Sequence, residues 1–187
     1  MTISRNIQLT STLLNITLRP PKMDDVERIH EAVLVSIPQL RPWMEWCDEN
    51  YSIEVPNAFV KAQPESWAND TNYQFTIIDR EIDQVLGGGG LNHINRYYRM
   101  ANLGYWIRSD RTKEGFATEA TRLIAKFGFE QLGLKRIEIV TAVDNIASRR
   151  VAEKSGATFE AILRNRMKLQ GVNIDAAMHS LIPEDLE

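Results

Sequence analysis

Apolar positions change period along this chain, and each change marks an element. Ile16 to Arg19 alternates as a short strand before Pro20-Pro21. A helical face follows, with Val26, Ile29, Val33 and Leu34 in register, a start near Asp24 and Glu27 as its capping partner. Pro38 and Pro42 end that pattern, and Leu40 to Asn50 carries Trp43, Met44 and Trp46 without clear periodicity. A second helix is predicted from Pro56 towards Trp67, with Phe59, Val60, Gln63 and Trp67 in register and Pro64 as a kink or break. From Tyr73 the period becomes two. Residues 73–79 and 82–91 flank Asp79-Arg80-Glu81, which predicts an antiparallel hairpin. A polar connection with His93, Tyr97 and Tyr98 leads to a third strand at 101–107. The helix expected from Gly115 to Leu132 buries Ala120, Leu123, Ile124, Phe127 and Phe129 or Gln131. A strand at 136–143, a short helix at 145–155 and two strands at 158–168 and 173–181, turning around Gly171, complete the chain. The order β-α-α-β-β-β-α-β-α-β-β is that of a mixed α/β domain, antiparallel at first, with helices crossing between later strands.

Composition narrows the class. The 187 residues are 43% hydrophobic and 25% charged, the profile of one ordinary globular domain spanning 1–187 with a single substantial core. No repeat, low-complexity tract or linker divides it. No apolar run approaches the ~20 residues of a membrane helix, and the start MTISRNIQLTSTLLNI lacks the features of a secretory signal. One cysteine, Cys47, excludes an internal disulfide framework, and three histidines offer no metal-ligand spacing. Net charge is −3, which argues against a dedicated nucleic-acid binder. The charge is segregated, with 13 Lys/Arg against 8 Asp/Glu between Arg108 and Lys168, and 9 against 17 elsewhere. An anionic ligand on one side and a cationic one on the other would account for this, as would chance on a solvated surface.

Three segments invite a chemical reading. Gly87 to Gly90 lies between two strands rather than between a strand and a helix, so it signals a bulge or close backbone approach, not a dinucleotide fingerprint. Tyr105-Trp106-Ile107 runs through a polar link into Arg111-Thr112-Lys113-Glu114-Gly115-Phe116-Ala117-Thr118. A strand entering a glycine turn where a helix opens aims free backbone N–H groups at one spot, with the helix dipole behind them. That is a phosphate site by physics, although an ordinary turn has the same pattern. Asn145 caps the next short helix, Ser148 lies one turn inside it, and Gly156 closes it. There is no Gly-x-Ser-x-Gly elbow, and Cys47 has no His or Asn at a catalytic spacing.

Together the glycine turn and the Asn-led helix resemble the GNAT acetyltransferase superfamily, in which a Gln/Arg-x-x-Gly-x-Gly/Ala turn holds the pyrophosphate of acetyl-CoA. Gly104-Tyr105-Trp106-Ile107, Ala117-Thr118-Glu119-Ala120 and Asn145-x-x-Ser148 with Glu153-Lys154-x-Gly156 are similar to its ribosomal-protein alanine/serine N-acetyltransferase branch. The aromatic insert Trp43-Met44-Glu45-Trp46-Cys47 and the ending His179-Ser180-Leu181-Ile182-Pro183 are in keeping with that branch. The resemblance implies a largely antiparallel central sheet with helices on both faces. It also implies an acetyl-CoA-dependent N-acetyltransferase of the cytoplasm, without a metal and without direct contact to nucleic acid or membrane.

Acetyl-CoA is expected at Tyr105, Trp106, Ile107, Arg111, Lys113, Glu114, Gly115, Phe116, Ala117, Thr118, Asn145 and Ser148, with the pyrophosphate at 113–118. The implied reaction is direct attack by an amine, with N–H groups of Tyr105–Ile107 as oxyanion donors and Ser148 beside the departing sulfur. The sequence departs from the pattern at Thr112 and Lys113 in the turn, at Ala152 where many relatives carry a tyrosine, and at Asn102 where a glutamate is frequent. His93 and Glu45 are the candidate bases; a surface histidine, a solvated carboxylate and a water chain are the plainer alternatives. Trp43, Trp46 and Tyr97 either line the acceptor entrance or pack the loops down. The acceptor is a protein N-terminus, ribosomal above all, or a small amine such as a polyamine or aminoglycoside. A non-catalytic acyl-CoA-binding module and a homodimer stay open.

Overall fold

The computed structural model describes residues 7–187, so the first six residues of the stretch compared with a secretory signal lie outside the described residues. Eight strands form one sheet: β1 (Leu9–Thr10), β2 (Ile16–Arg19), β3 (Tyr73–Asp79), β4 (Gln84–Asn95), β5 (Met100–Ile107), β6 (Arg136–Ala142), β7 (Thr158–Leu169) and β8 (Val172–Leu181). Their spatial order is β1-β2-β3-β4-β5-β6-β8-β7. Every neighbouring pair is antiparallel except β5 and β6. A parallel pair needs a long crossover, and here α4 (Phe116–Leu132) supplies it. The other helices are α1 (Val26–Leu34), α2 (Ile37–Leu40), α3 (Glu54–Ala68) and α5 (Ile146–Lys154). The mixed α/β class with a largely antiparallel sheet is the one expected.

Alternation along β4 and β5 separates two cores. Val85 and, partly buried, Trp106 pack with Val26, Ile29 and Val33 of α1 and Val60 of α3. Leu86 and Leu103 point the other way, into a larger core with Phe116, Ile124 and Phe127 of α4. Burying each such side chain is worth about 1.5–3 kcal/mol. The site lies along β5, which both cores hold.

Several local expectations are corrected. The first helix is entered through a 3-10 turn (Met23–Asp25), and Asp25 rather than Glu27 accepts from the Lys22 N–H. Leu34 is exposed, and Ala32 takes its place on the buried face. Helix α3 starts earlier, at Glu54, and runs unbroken past Pro64, whose ring nitrogen forgoes one backbone bond. In α4, Glu119 and Thr121 are buried as well. Their polar atoms are satisfied: Ser11 Oγ donates to Glu119 at 2.6 Å, and Thr121 Oγ1 donates to Ala117 O at 2.8 Å. Strand β4 continues to Asn95, so His93 belongs to it, at a register shift between Asn92 and Asn95.

Candidate active site

Strand β5 is paired along both edges only at its start. Met100, Ala101 and Asn102 meet Arg136, Ile137 and Glu138 of β6; beyond them β5 and β6 have no further paired residues. β6 continues against β8, while β5 stays paired with β4 up to Ile107. The two central strands therefore splay apart. The Arg108 N–H donates to Leu86 O at 2.7 Å, so by two-residue alternation Trp106 faces β4 and the N–H and C=O of Tyr105 and Ile107 face the gap. This spends the Trp106 N–H on the β4 ladder and removes it from the donors expected at this strand.

At the end of β5 the chain enters the turn that opens α4. Arg108 is braced by Glu31 of α1, with two contacts of 2.8 Å, and by Asp110. The Ser109 N–H donates to Ser36 Oγ at 2.8 Å. Arg111 is held by Asp79, Gln84 and Glu114. Its hydrogen bonds to Glu114 and Asp79 raise its already high pKa. Burial works to raise the Asp79 carboxyl, but the Glu81 N–H and Arg111 hold it below its ordinary value. Arg111 and Glu114 thus serve the turn's own structure, and their charges neutralise each other rather than face a phosphate. Lys113, exposed at φ +68°, makes no ion pair among the described residues. Gly115 takes φ +87°, a left-handed conformation that glycine adopts without strain. The first helical bond runs from the Glu119 N–H to Gly115 O, which leaves the N–H groups of Phe116, Ala117 and Thr118 without a helical acceptor.

Helix α5 faces the gap from the far side. Asn145 caps it, accepting from the Ser148 N–H at 3.1 Å. The Tyr105 hydroxyl reaches across from β5 and donates to Ser148 O at 2.7 Å, while Ser148 Oγ donates to the same phenol oxygen at 3.2 Å. Burial pushes the Tyr105 phenol up to about 12, so it remains a neutral hydroxyl. This hydroxyl pair was not expected. Its two members lie 43 positions apart, and no periodicity links them.

On the opposite face of β5 lies a cavity of about 420 Å³. Thr76, Gly88 and Trp106 are cross-strand partners on its floor. The Trp106 indole lies close over Gly88, where an added Cβ would stand 3.0 Å from Nε1. An added Cβ at Gly104, by contrast, meets no atom within 4 Å. Helices α1 and α3 and the aromatic insert roof the floor: Trp46 stands edge-on to Trp106 at 5.9 Å, and Met44, Tyr51 and Phe59 extend the wall. No lining residue carries a charge. Asn102 donates to Asn92 Oδ1 at 3.0 Å, and Asn92 borders the cavity.

The Acetyltransferase (GNAT) domain family model matches residues 15–158 of this sequence. The chain belongs to the GNAT acetyltransferase family. It is 31% identical over 141 residues to the Bacillus subtilis protein named Probable N-acetyltransferase YjcK, covering 75% of this chain and 78% of that one. It is 25% identical over 100 residues to the Escherichia coli Ribosomal-protein-serine acetyltransferase, covering 54% and 56%. The solved structure of Mycobacterium smegmatis RimJ in complex with CoA-disulfide superposes with a TM-score of 0.84 at 23% identity, over 96% of this chain and 87% of that one. As a GNAT family member the protein is an N-acetyltransferase.

The structure brings together Tyr105, Ile107, Gly115–Thr118, Asn145 and Ser148 around the gap and its two flanking helices. Trp106 joins the cavity instead. His93 is exposed at φ +49° in the last part of β4, and Glu45 is exposed in the loop after α2. Neither makes a side-chain hydrogen bond among the described residues, and neither lines the cavity. Trp46 lines the cavity, whereas Tyr97 is exposed at a hairpin tip and does not. Among the described residues no three His, Cys, Asp or Glu side chains converge on a metal position.

Proposed function

We propose that residues 1–187 act as one unit that transfers an acetyl group from acetyl-CoA directly to the N-terminal α-amine of a protein, with ribosomal proteins as the substrate class. The observation that carries this reading is β5 itself. One edge of it lies open beside an unsatisfied helix N-terminus, and one face of it floors an uncharged cavity. The E. coli relative named for a ribosomal-protein serine and the RimJ structure holding a CoA disulfide support the same assignment.

The residues present fit acetyl-CoA. Tyr105 and Ile107 offer strand-like N–H and C=O groups with no β6 partner, which suit an amide-containing arm. The N–H groups of Phe116, Ala117 and Thr118 and the ammonium of Lys113 suit phosphates. Acetyl-CoA supplies an activated thioester when bound. Of the β5 groups, the Tyr105 N–H is assigned to the developing oxyanion, which leaves the Ile107 N–H and C=O for the arm. Ser148 Oγ–H, by rotating off its long 3.2 Å bond to the Tyr105 phenol oxygen, is the donor for the departing sulfur. Tyr105 therefore brings a hydroxyl to α5, where Ala152 stands in place of the frequent tyrosine. No base is required of the protein. An α-amine has a pKa of ~7.7–8.0 against ~10.4 for lysine, so a useful fraction is neutral in the cytoplasm, where the reaction is placed by this reading.

The test is thiol release from acetyl-CoA with four acceptors: a peptide with a free N-terminus, the same peptide N-terminally blocked with one internal lysine, spermidine and an aminoglycoside. Turnover is expected with the free N-terminus and at least ~10-fold slower with the others. A preference for lysine or spermidine overturns the α-amine reading. CoA binding without thiol release from any amine turns the conclusion to a binding module.

A further inference from the structure

The acceptor cavity carries more information than the α-amine reading needs. A site for a polyamine or an aminoglycoside must neutralise further ammonium groups, because a buried unpaired charge is costly. Here the walls are Ile29, Val33, Val55, Met44, Phe59 and the aromatic pair Trp46 and Trp106, with no carboxylate among them. At about 420 Å³ the space sits within the range of ligand pockets. A serine or alanine side chain would leave most of that apolar wall without contacts.

The hollow itself has a sequence cause. Thr76, Gly88 and Trp106 share one row of the sheet, and Gly104 lies on the same face two residues before Trp106. The indole covers Gly88, but Gly104 leaves volume that any larger residue would occupy.

We propose that this cavity selects α-amines whose first residue carries a large apolar side chain, leucine or phenylalanine in kind. The proposal rests on the α-amine reading and adds selectivity to it. The apolar side chain occupies the space over Gly104, between Trp46, Trp106 and Phe59. The amine reaches the β5 edge without crossing a charged group.

The experiment measures kcat/KM for peptides that differ only in their first residue: Phe, Leu, Ala and Ser. Phe and Leu peptides are expected to exceed Ser by at least ~10-fold, the scale on which apolar pockets discriminate. Gly104→Val tests the location, because its Cβ enters open space and the fold, checked by circular dichroism, should survive. It should abolish or invert the preference for Phe over Ala. Phe59→Ala, at a side chain already 40% exposed, should weaken the same preference. Equal turnover of Ser and Phe peptides overturns the selectivity while leaving the α-amine reading intact. An unaltered Phe preference in Gly104→Val also overturns it. If no α-amine peptide is acetylated whatever its first residue, the α-amine reading itself has failed and the proposal with it.

Discussion

On the α4 side of β5 the site is made of backbone. The unpaired edge at Tyr105 and Ile107, the left-handed Gly115 and the first N–H groups of α4 offer donors whose positions hardly depend on side-chain identity. On the α1–α3 side it is made of side chains, with Met44, Trp46, Phe59, Thr76 and Trp106 arriving from four separate stretches of chain. On the proposed reading the contrast follows from what each side must do. The cosubstrate is gripped by backbone groups that every sequence possesses, so Thr112 and Lys113 in the turn need not matter. The acceptor is met by side chains, which are particular to this sequence.

The largest expected effect breaks the backbone side. Gly115→Glu sets a carboxylate where phosphates are proposed to approach N–H groups. Losing about two charge-assisted hydrogen bonds costs ~3–6 kcal/mol, at least ~10²-fold in CoA affinity. The left-handed backbone adds ~1–2 kcal/mol of strain in the folded state, which should lower Tm by several degrees without unfolding the protein. Titration calorimetry with CoA, beside a melting curve, checks both. Unchanged affinity in a folded variant would place the phosphate site elsewhere and dissolve the contrast.

The same division explains what the sequence discloses. Strands β2 and β3 fall at the residues that their alternation predicts, and α4 ends at Leu132 as expected. The glycine run reads correctly as close approach, with a register shift opposite Gly87 and the Trp106 indole over Gly88. The turn and the Asn145 cap are local chemistry, carried by neighbours in sequence. The splay of β5 from β6 is different, because it is a missing set of partners between strands separated by a whole helix. The Tyr105–Ser148 pair and the cavity likewise depend on contacts between distant positions. Arg111 shows the converse error. Its charge suggested an anion, but Asp79 and Gln84, more than 25 positions away, had already engaged it.

A smaller effect sharpens the backbone side by separating binding from chemistry. Ser148→Ala keeps the N–H that Asn145 accepts, so α5 stays capped. Only the hydroxyl beside the proposed sulfur position is lost. Turnover should fall by up to ~10²-fold while the KM for acetyl-CoA stays within ~3-fold, the pattern of an interaction made in the transition state. Tyr105→Phe acts through Ser148 and should cost less, ~10-fold at most. Steady-state kinetics on both variants decides. A rise in KM at unchanged kcat would make Ser148 a binding residue only.

The smallest expected effects belong to the two candidate bases, and they test whether the acceptor side does any proton chemistry. The cavity holds no titratable group of its own that changes charge near neutrality, since Tyr51 is pushed well above its ordinary pKa by burial. Tyr105, raised to about 12, stays protonated throughout the working range. Activity should therefore follow the acceptor alone. The neutral amine is the nucleophile, so kcat/KM rises with pH, through a midpoint near ~7.7–8.0, and levels off by about pH 9. No falling limb is expected there, because no essential acid loses its proton below that range. His93→Ala and Glu45→Gln should change kcat/KM by less than ~3-fold and leave the midpoint in place, as both side chains are exposed and outside the cavity. A pH–rate profile for the wild type and both variants, with one peptide acceptor, checks this. A midpoint near ~6.5 that vanishes in His93→Ala would make His93 the base and would move proton transfer from solvent onto the protein.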